Sequence, residues 1–185
     1  AFDERWARWS MCGLCEQDYH GVVSCALGWA CWKTYVGRPE TNYTRGMAMT
    51  VLGNGVFDAR LWEDALSVYE AELSMQRRLG ASEDSMLVTR NNLAGTYQSL
   101  GRLEDGLRLR RDIYAGCLRR YGEENNSTIR AASNYAVSLK DLQRFEEART
   151  LMRKTIPVAQ RVLGDSCDVT VRMRWNYAEA LYLSL

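Results

Sequence analysis

Four residues near the start of the chain have the types and spacing for metal chemistry. Cys12, Cys15, His20 and Cys25 stand as C-x2-C-x4-H-x4-C. Three thiolates and one imidazole suit tetrahedral zinc, and such a centre can supply folding energy to a short segment. Two features point the other way. The glycines of a tight metal-binding turn are replaced, because Glu16 follows Cys15 and Tyr19 precedes His20. Cys25 also lies in the apolar stretch Val22 to Val36, which reads as a buried helix. Free cysteine packs as a small hydrophobe, and Cys25, Cys31, Cys117 and Cys167 are expected to do so. Three states stay open: bound zinc, no metal, or a Cys12–Cys15 disulfide. Packing without metal is the expectation, so no cofactor and no metal ligand is assigned. Six cysteines without a disulfide framework point to a reducing intracellular compartment or organelle interior.

Other chemistry is sparse. His20 is the sole histidine, and no Ser or Cys nucleophile has an evident base. No glycine-rich phosphate loop follows a predicted strand. Glu104, Asp105, Glu146 and Glu147 recur with the sequence period near helix starts, where they complement the helix dipole. No catalytic residue is assigned, and the chain is expected not to be an enzyme. Lys plus Arg is 24 and Asp plus Glu is 23, which gives no net pull toward nucleic acid or an anionic membrane. The five arginines from Leu107 to Arg120 are mixed with acids and lack an aromatic ladder, so they read as a solvated outer face. No nucleic-acid partner is expected. No run of about 18 apolar residues exists, so no membrane span is expected. Apolar residues make up 46%, enough for a folded core. The Asn-x-Ser/Thr triplets at Asn42, Asn125 and Asn126 carry little weight alone.

The scaffold shows in a repeat. Asn92–Leu107, "NLAGTYQSLGRLEDGL", returns as "NYAVSLKDLQRFEEAR" at Asn134–Arg149. Gly80, Gly122 and Gly164 fall 42 apart, and so do Asn92, Asn134 and Asn176. The first unit is one residue out of step, since Leu52-Gly53 precedes Leu93-Ala94 by 41. Each unit reads as two helices, predicted at 47–59 and 62–79, 86–100 and 103–121, 128–142 and 145–163, then 168–183. Leu93, Tyr97 and Leu100 recur at helical spacing, as do Leu103, Leu107 and Tyr114. Gly101, Gly80, Gly122 and Gly164 are expected helix stops, where a residue without Cβ turns left-handed at little cost. Asp84, Asn126 and Asp165 or Ser166 are expected to cap the next helices. Ala65, Gly106 and Ala148 are small enough for close helix crossings. The fold class is all-α.

These residues resemble tetratricopeptide repeats, and the 42-residue period, the Asn-Leu-Ala start and the Leu-Gly close resemble the kinesin-light-chain type. The resemblance covers about Met47 to Leu185, three full units and the first helix of a fourth. It implies a right-handed superhelical solenoid of helix hairpins, with first helices on the concave face. It also implies a non-catalytic scaffold for protein–protein interaction that holds a partner peptide there. Carried over by position, Asn92, Asn134 and Asn176 face the groove, with Arg130 and Arg172 one turn earlier. Gly95, Val137 and Glu179 lie one step later, and Val51 replaces the Asn in the first unit. An Asn amide both donates and accepts toward a peptide backbone, and an Arg fork suits a carboxylate. The same asparagines could instead bond neighbouring helices, and the two arginines could be solvated.

Residues 1–46 differ. The stretch from Cys12 to Val36 resembles the tail of a RING finger leading into repeats, with Cys12 and Cys15 as its last ligand pair. Gly13 stands where that pattern has proline. The resemblance implies a second alternative, a fragment of a zinc-containing RING-type ubiquitin ligase component. Phe2, Trp6 and Trp9 fall on one helical stripe, and Trp29, Trp32 and Tyr35 lie on the apolar helix. The region is expected to be an N-terminal cap, because a terminal repeat needs a cover. Gly37 to Arg45 is the expected linker, and 47–185 the repeat domain. At the far end Trp175, Tyr177, Ala180, Leu181 and Leu185 are expected to leave apolar surface bare. Ala1 at the start suggests a processed chain or a longer parent. That bare edge suggests further chain or a partner. The other functional alternative is a structural subunit held in a larger complex by its ends and convex face.

Overall fold

A computed structural model describes residues 6–184. Among them run eight helices: α1 (Gly21–Tyr35), α2 (Tyr43–Asp58), α3 (Trp62–Arg78), α4 (Glu83–Ser99), α5 (Leu103–Tyr121), α6 (Asn126–Asp141), α7 (Phe145–Leu163) and α8 (Asp168–Tyr182). The one extended pairing among the described residues is an isolated bridge between Met11 and Asp18. The predicted helices are all present, and the fold is all-α. The chain gathers into two compact units, Ala1–Leu100 and Gly101–Leu185.

The boundaries follow local chemistry. Gly80, Gly101, Gly122 and Gly164 all take positive φ, from +66° to +88°. The helix starts differ from expectation by a few residues. Ser82, not Asp84, caps α4 by accepting from the Ser85 N–H, and Asn125, not Asn126, caps α6 by accepting from Ser127. Cys167 precedes α8 without a side-chain bond, while Asp165 accepts from Gln160 Nε2 at 2.7 Å. Asn42 accepts from the Thr44 N–H at 3.0 Å, so α2 begins at Tyr43 and shortens the expected linker. Two of the Asn-x-Ser/Thr triplets are thus helix caps, in which the Asn oxygen reaches the N–H two residues on.

In the Ala1–Leu100 unit, α1 packs on α2, α2 on α3, and α3 on α4. Glycine sets the first contact. A Cβ on Gly55 would stand 2.4 Å from the Ser24 carbonyl oxygen, and one on Gly28 would stand 3.1 Å from Leu52 Cα. The helix expected to be buried throughout is buried on one side only. Gly28 and Cys31 lie inside, whereas Val22, Val23 and Trp29 are exposed. A single neighbouring helix covers a single face. The Trp6 ring packs against Tyr35 at 5.1 Å, tilted by 59°, and its N–H donates to the Met47 sulfur. Phe2 lies outside the described residues.

In the Gly101–Leu185 unit, α6 packs against α5, α7 and α8. Its core joins Leu107, Ile129, Leu139, Met152, Val169 and Met173. Ala148 is fully buried, as is Ala65 in the other unit, and Gly106 is buried too, each within a helix. Of the apolar residues expected bare on α8, Trp175 is 70% exposed, while Ala180 is buried and Tyr177 half-buried. Val171, Tyr182 and Leu183 are exposed as well. Leu185 lies outside the described residues.

Candidate peptide-binding face

The asparagines stand on first helices, and two of them are engaged with a neighbouring first helix. In the Ala1–Leu100 unit Asn92, on α4, donates from Nδ2 to Asn54 Oδ1 on α2 at 3.2 Å. Tyr69 on α3 donates to the same oxygen at 2.8 Å. Asn54 thus ties three helices together. It was missed in the sequence because it stands 38 residues before Asn92, off the period. Val88, one turn before Asn92, is exposed, so this unit presents an apolar side chain where the other presents arginine.

In the Gly101–Leu185 unit Asn176 on α8 is buried, and its Oδ1 accepts from Lys140 Nζ on α6 at 2.8 Å. Lys140 also pairs with Glu179 Oε2 at 2.5 Å. Lys140 was likewise not singled out in the sequence; an alkyl stem lets a lysine serve as a buried tie with its charge at the rim. Asn134 is half-buried on α6. Arg130 and Arg172, 42 residues apart on α6 and α8, are both exposed. Arg130 Nε donates to Asn126 Oδ1 at 2.8 Å, which orients the guanidinium.

A third arginine belongs with them. Four of the five arginines between Leu107 and Arg120 are exposed as expected, but Arg110 is half-buried, with its Nε shielded from solvent. Burial, with the positive charge of Arg172 beside it, pushes its guanidinium down to about 10. The reading of that stretch as uniformly solvated is corrected at this position. Its register equivalent one repeat later is Met152, fully buried, so the position points inward whatever residue occupies it.

The N-terminal cysteines do not converge with the histidine. His20 Nδ1 lies 3.8 Å from Asp58 Oδ2. The N–H groups of Leu14 and Cys15 bond the Cys12 sulfur and, with help from the Cys15 and Tyr19 side chains, pull its thiol down to about 7. Cys31 and Cys117 are buried and Cys25 and Cys167 half-buried, and all six cysteines are free. Among the described residues no three His, Cys, Asp or Glu side chains are grouped to hold a metal, and no helix is long and apolar enough to cross a membrane.

Residues 128–166 match the family model of the tetratricopeptide repeat. The fold is the tetratricopeptide-repeat fold. A search of curated proteins finds no match. Among solved structures the chain is similar to BtubC (BKLC) from P. vanneervenii, with a TM-score of 0.74 and 17% identity over 88% of this chain and 66% of that one. It spans just under two thirds of that relative. It is also similar to a putative kinesin light chain with nearly identical TPR-like repeats from Podosopora anserina. The Q17M form gives a TM-score of 0.69, with 16% identity over 88% of this chain and 76% of that one. A second structure of the same protein gives 0.68 with the same identity and coverage. The likeness to kinesin-light-chain repeats expected from the 42-residue period is therefore present. Tetratricopeptide repeats generally serve as scaffolds for protein–protein interaction.

Proposed function

We propose that the protein binds an extended, carboxylate-bearing peptide of a partner along the face lined by α6 and α8. The observation that carries this reading is the pair Arg130 and Arg172. Both are exposed at the same register of adjacent first helices, with half-buried Asn134 one turn beyond Arg130. Two guanidinium forks offer bidentate sites for carboxylates, and the Asn134 amide can meet peptide backbone. Asn176 serves as a helix tie beneath this face, through Lys140, and Asn92 ties helices of the Ala1–Leu100 unit through Asn54. α1 and the segment before it act as the cap of the first hairpin, which the close Gly28 and Gly55 contacts support. No catalytic step is proposed.

A second reading has its own observation. Val171, Trp175 and Tyr182 leave an exposed apolar strip on α8, with Leu183 exposed just past its end, as expected of a structural subunit held at its end within a larger complex.

Binding of the full chain to an arrayed library of acidic and neutral peptides separates the two. The doubly substituted Arg130→Ala, Arg172→Ala chain, checked for helicity, should weaken capture of acidic peptides by roughly tenfold to a hundredfold, as expected for lost charge-assisted bonds. Unchanged peptide binding in that variant overturns the first reading. Loss of complex formation on Trp175→Ala and Tyr182→Ala, with those arginines dispensable, favours the second.

A further inference from the structure

A carboxyl group is buried where three helices of the Ala1–Leu100 unit meet. Glu72, on α3, is 2% exposed. Its Oε1 accepts from Thr50 Oγ1 on α2 at 2.5 Å and from Gln76 Nε2 at 3.5 Å. Gln76 Nε2 donates in turn to Thr89 Oγ1 on α4 at 3.0 Å, and Thr89 is 1% exposed. Two oxygens in this cluster, Glu72 Oε2 and Gln76 Oε1, are buried without a hydrogen-bond partner. A carboxylate brings only acceptors to such a place, whereas a carboxylic acid brings one further O–H donor beside two oxygens that have none.

Several charged groups of the surrounding helices are engaged elsewhere, although Arg45 Nε on α2 is buried without a hydrogen-bond partner. On α2, Arg45 donates to the Arg38 carbonyl and lies over the Trp32 ring, and Asp58 faces His20. On α4, Arg90 pairs with Glu83. On α3 the nearest titratable neighbour is Tyr69, whose hydroxyl donates to Asn54 and is itself pushed up, first by burial and then by the charges of Glu72 and Asp58. Burial holds the Glu72 carboxyl above the usual range, while the Thr50 and Thr89 bonds pull more weakly the other way.

The repeat does not require this group. In the register of Ala65, Gly106 and Ala148 the equivalents of Glu72 are Ile113 and Thr155, and those of Thr89 are Ala131 and Met173. No ionisable side chain fills the same register there, so the carboxyl is a device added to one junction.

We propose that Glu72 is a proton-operated latch. As a carboxylic acid it closes the α2–α3–α4 junction, and its ionisation loosens that junction. The direction follows from linkage. The native state keeps the proton above the ordinary carboxyl value of 4.5, and unfolding releases it. The stabilisation is therefore complete below that value and is lost as pH rises through the native-state value.

Three measurements on the full chain test the latch between about pH 5 and about pH 9: chemical denaturation, amide exchange of α3 corrected for intrinsic rate, and infrared spectroscopy of the carboxyl band. With one proton linked, the folded-to-unfolded ratio should fall by up to about tenfold per pH unit within the titration window. Exchange of α3 amides should quicken in parallel, and amides of α7 should not follow. Glu72→Gln keeps the shape and a neutral head, so its pH curve should lack that segment. The wild-type infrared spectrum should show a protonated-carboxyl band at the low end of the range that fades as α3 exchange quickens. Parallel pH curves for wild type and Glu72→Gln overturn the proposal. If that variant does not fold, a wild-type spectrum without the band at the low end does so by itself.

Discussion

The two compact units use the same helical repeat and hold it together with different chemistry. In Ala1–Leu100 the junctions are polar or tightly fitted: Asn54 gathers bonds from Asn92 and Tyr69, Glu72 meets Thr50 and Gln76, and glycines let α1 press on α2. In Gly101–Leu185 the core joins Ile129, Leu139, Met152 and Met173, and its buried polar residues, Thr128, Ser133, Ser138, Thr170 and Asn176, bring hydroxyls and an amide but no carboxyl, with the Lys140–Asn176–Glu179 tie near the rim. A repeat specifies where helices cross. It leaves open whether a crossing is filled with methylene groups or with hydrogen bonds. The consequence is a difference in responsiveness. Apolar packing changes little with pH, whereas a buried carboxyl makes its junction sensitive to the proton.

The largest expected effect breaks the apolar side of this comparison. Met152 is fully buried in the core of the Gly101–Leu185 unit. Met152→Ala should destabilise that unit by about 3 kcal/mol, the usual cost of deleting a buried side chain and leaving a cavity. Denaturation followed together with amide exchange of α7 should show the loss there, at all pH values alike. A pH-dependent loss would mean that this unit, too, relies on a buried titratable group.

A smaller effect breaks the fitted side. Gly55→Ala places a Cβ against the backbone of Ser24, and backbone cannot swing aside as the tip of a side chain can. Moving α1 off α2 should cost about 2 kcal/mol, in the range of overpacking penalties. Trp6 and Trp32 report on this seam, so a shift of tryptophan emission at an unchanged helical content is the expected signature. An unshifted spectrum at full stability would mean that α1 is not seated as described.

Much of this was legible in the sequence because a period is robust to error. The glycines 42 apart placed the helix ends, and the small residues at Ala65, Gly106 and Ala148 marked buried helical positions before any contact was known. Caps were less legible, since Asp84 and Asn126 are as good chemically as Ser82 and Asn125, and the choice rests on a backbone turn of one or two residues. The candidate face was legible in its positions and not in its partners. Asn176 looks the same in the sequence as Asn134, yet a lysine 36 residues earlier engages its oxygen, and nothing periodic announces that lysine. Arg110 sits in a run of arginines that reads as solvated, and only its register with Met152 shows that the position points inward. Glu72 was invisible for the reverse reason. A lone glutamate on a charged helix gives no sign that it faces a threonine on each neighbouring helix.

The smallest effect sharpens the comparison by asking whether the repeat is optimised equally in both units. The break between first and second helix falls at Arg60, Gly101 and Gln143, which take φ of +61°, +72° and +58°. Only one of the three is glycine, so each unit meets this turn at least once with a residue that resists it. The left-handed conformation costs a side-chain-bearing residue about 1 kcal/mol, and glycine offsets part of that gain through the freedom it recovers on unfolding. Gln143→Gly should therefore stabilise the Gly101–Leu185 unit by somewhat less than about 1 kcal/mol, and Arg60→Gly should do the same for the other unit. A rise in the denaturation midpoint with unchanged slope checks both. Equal gains would show that the turn is set by backbone geometry alone. A gain at Gln143 with a loss at Arg60 would assign the arginine side chain a contact worth more than the strain it carries.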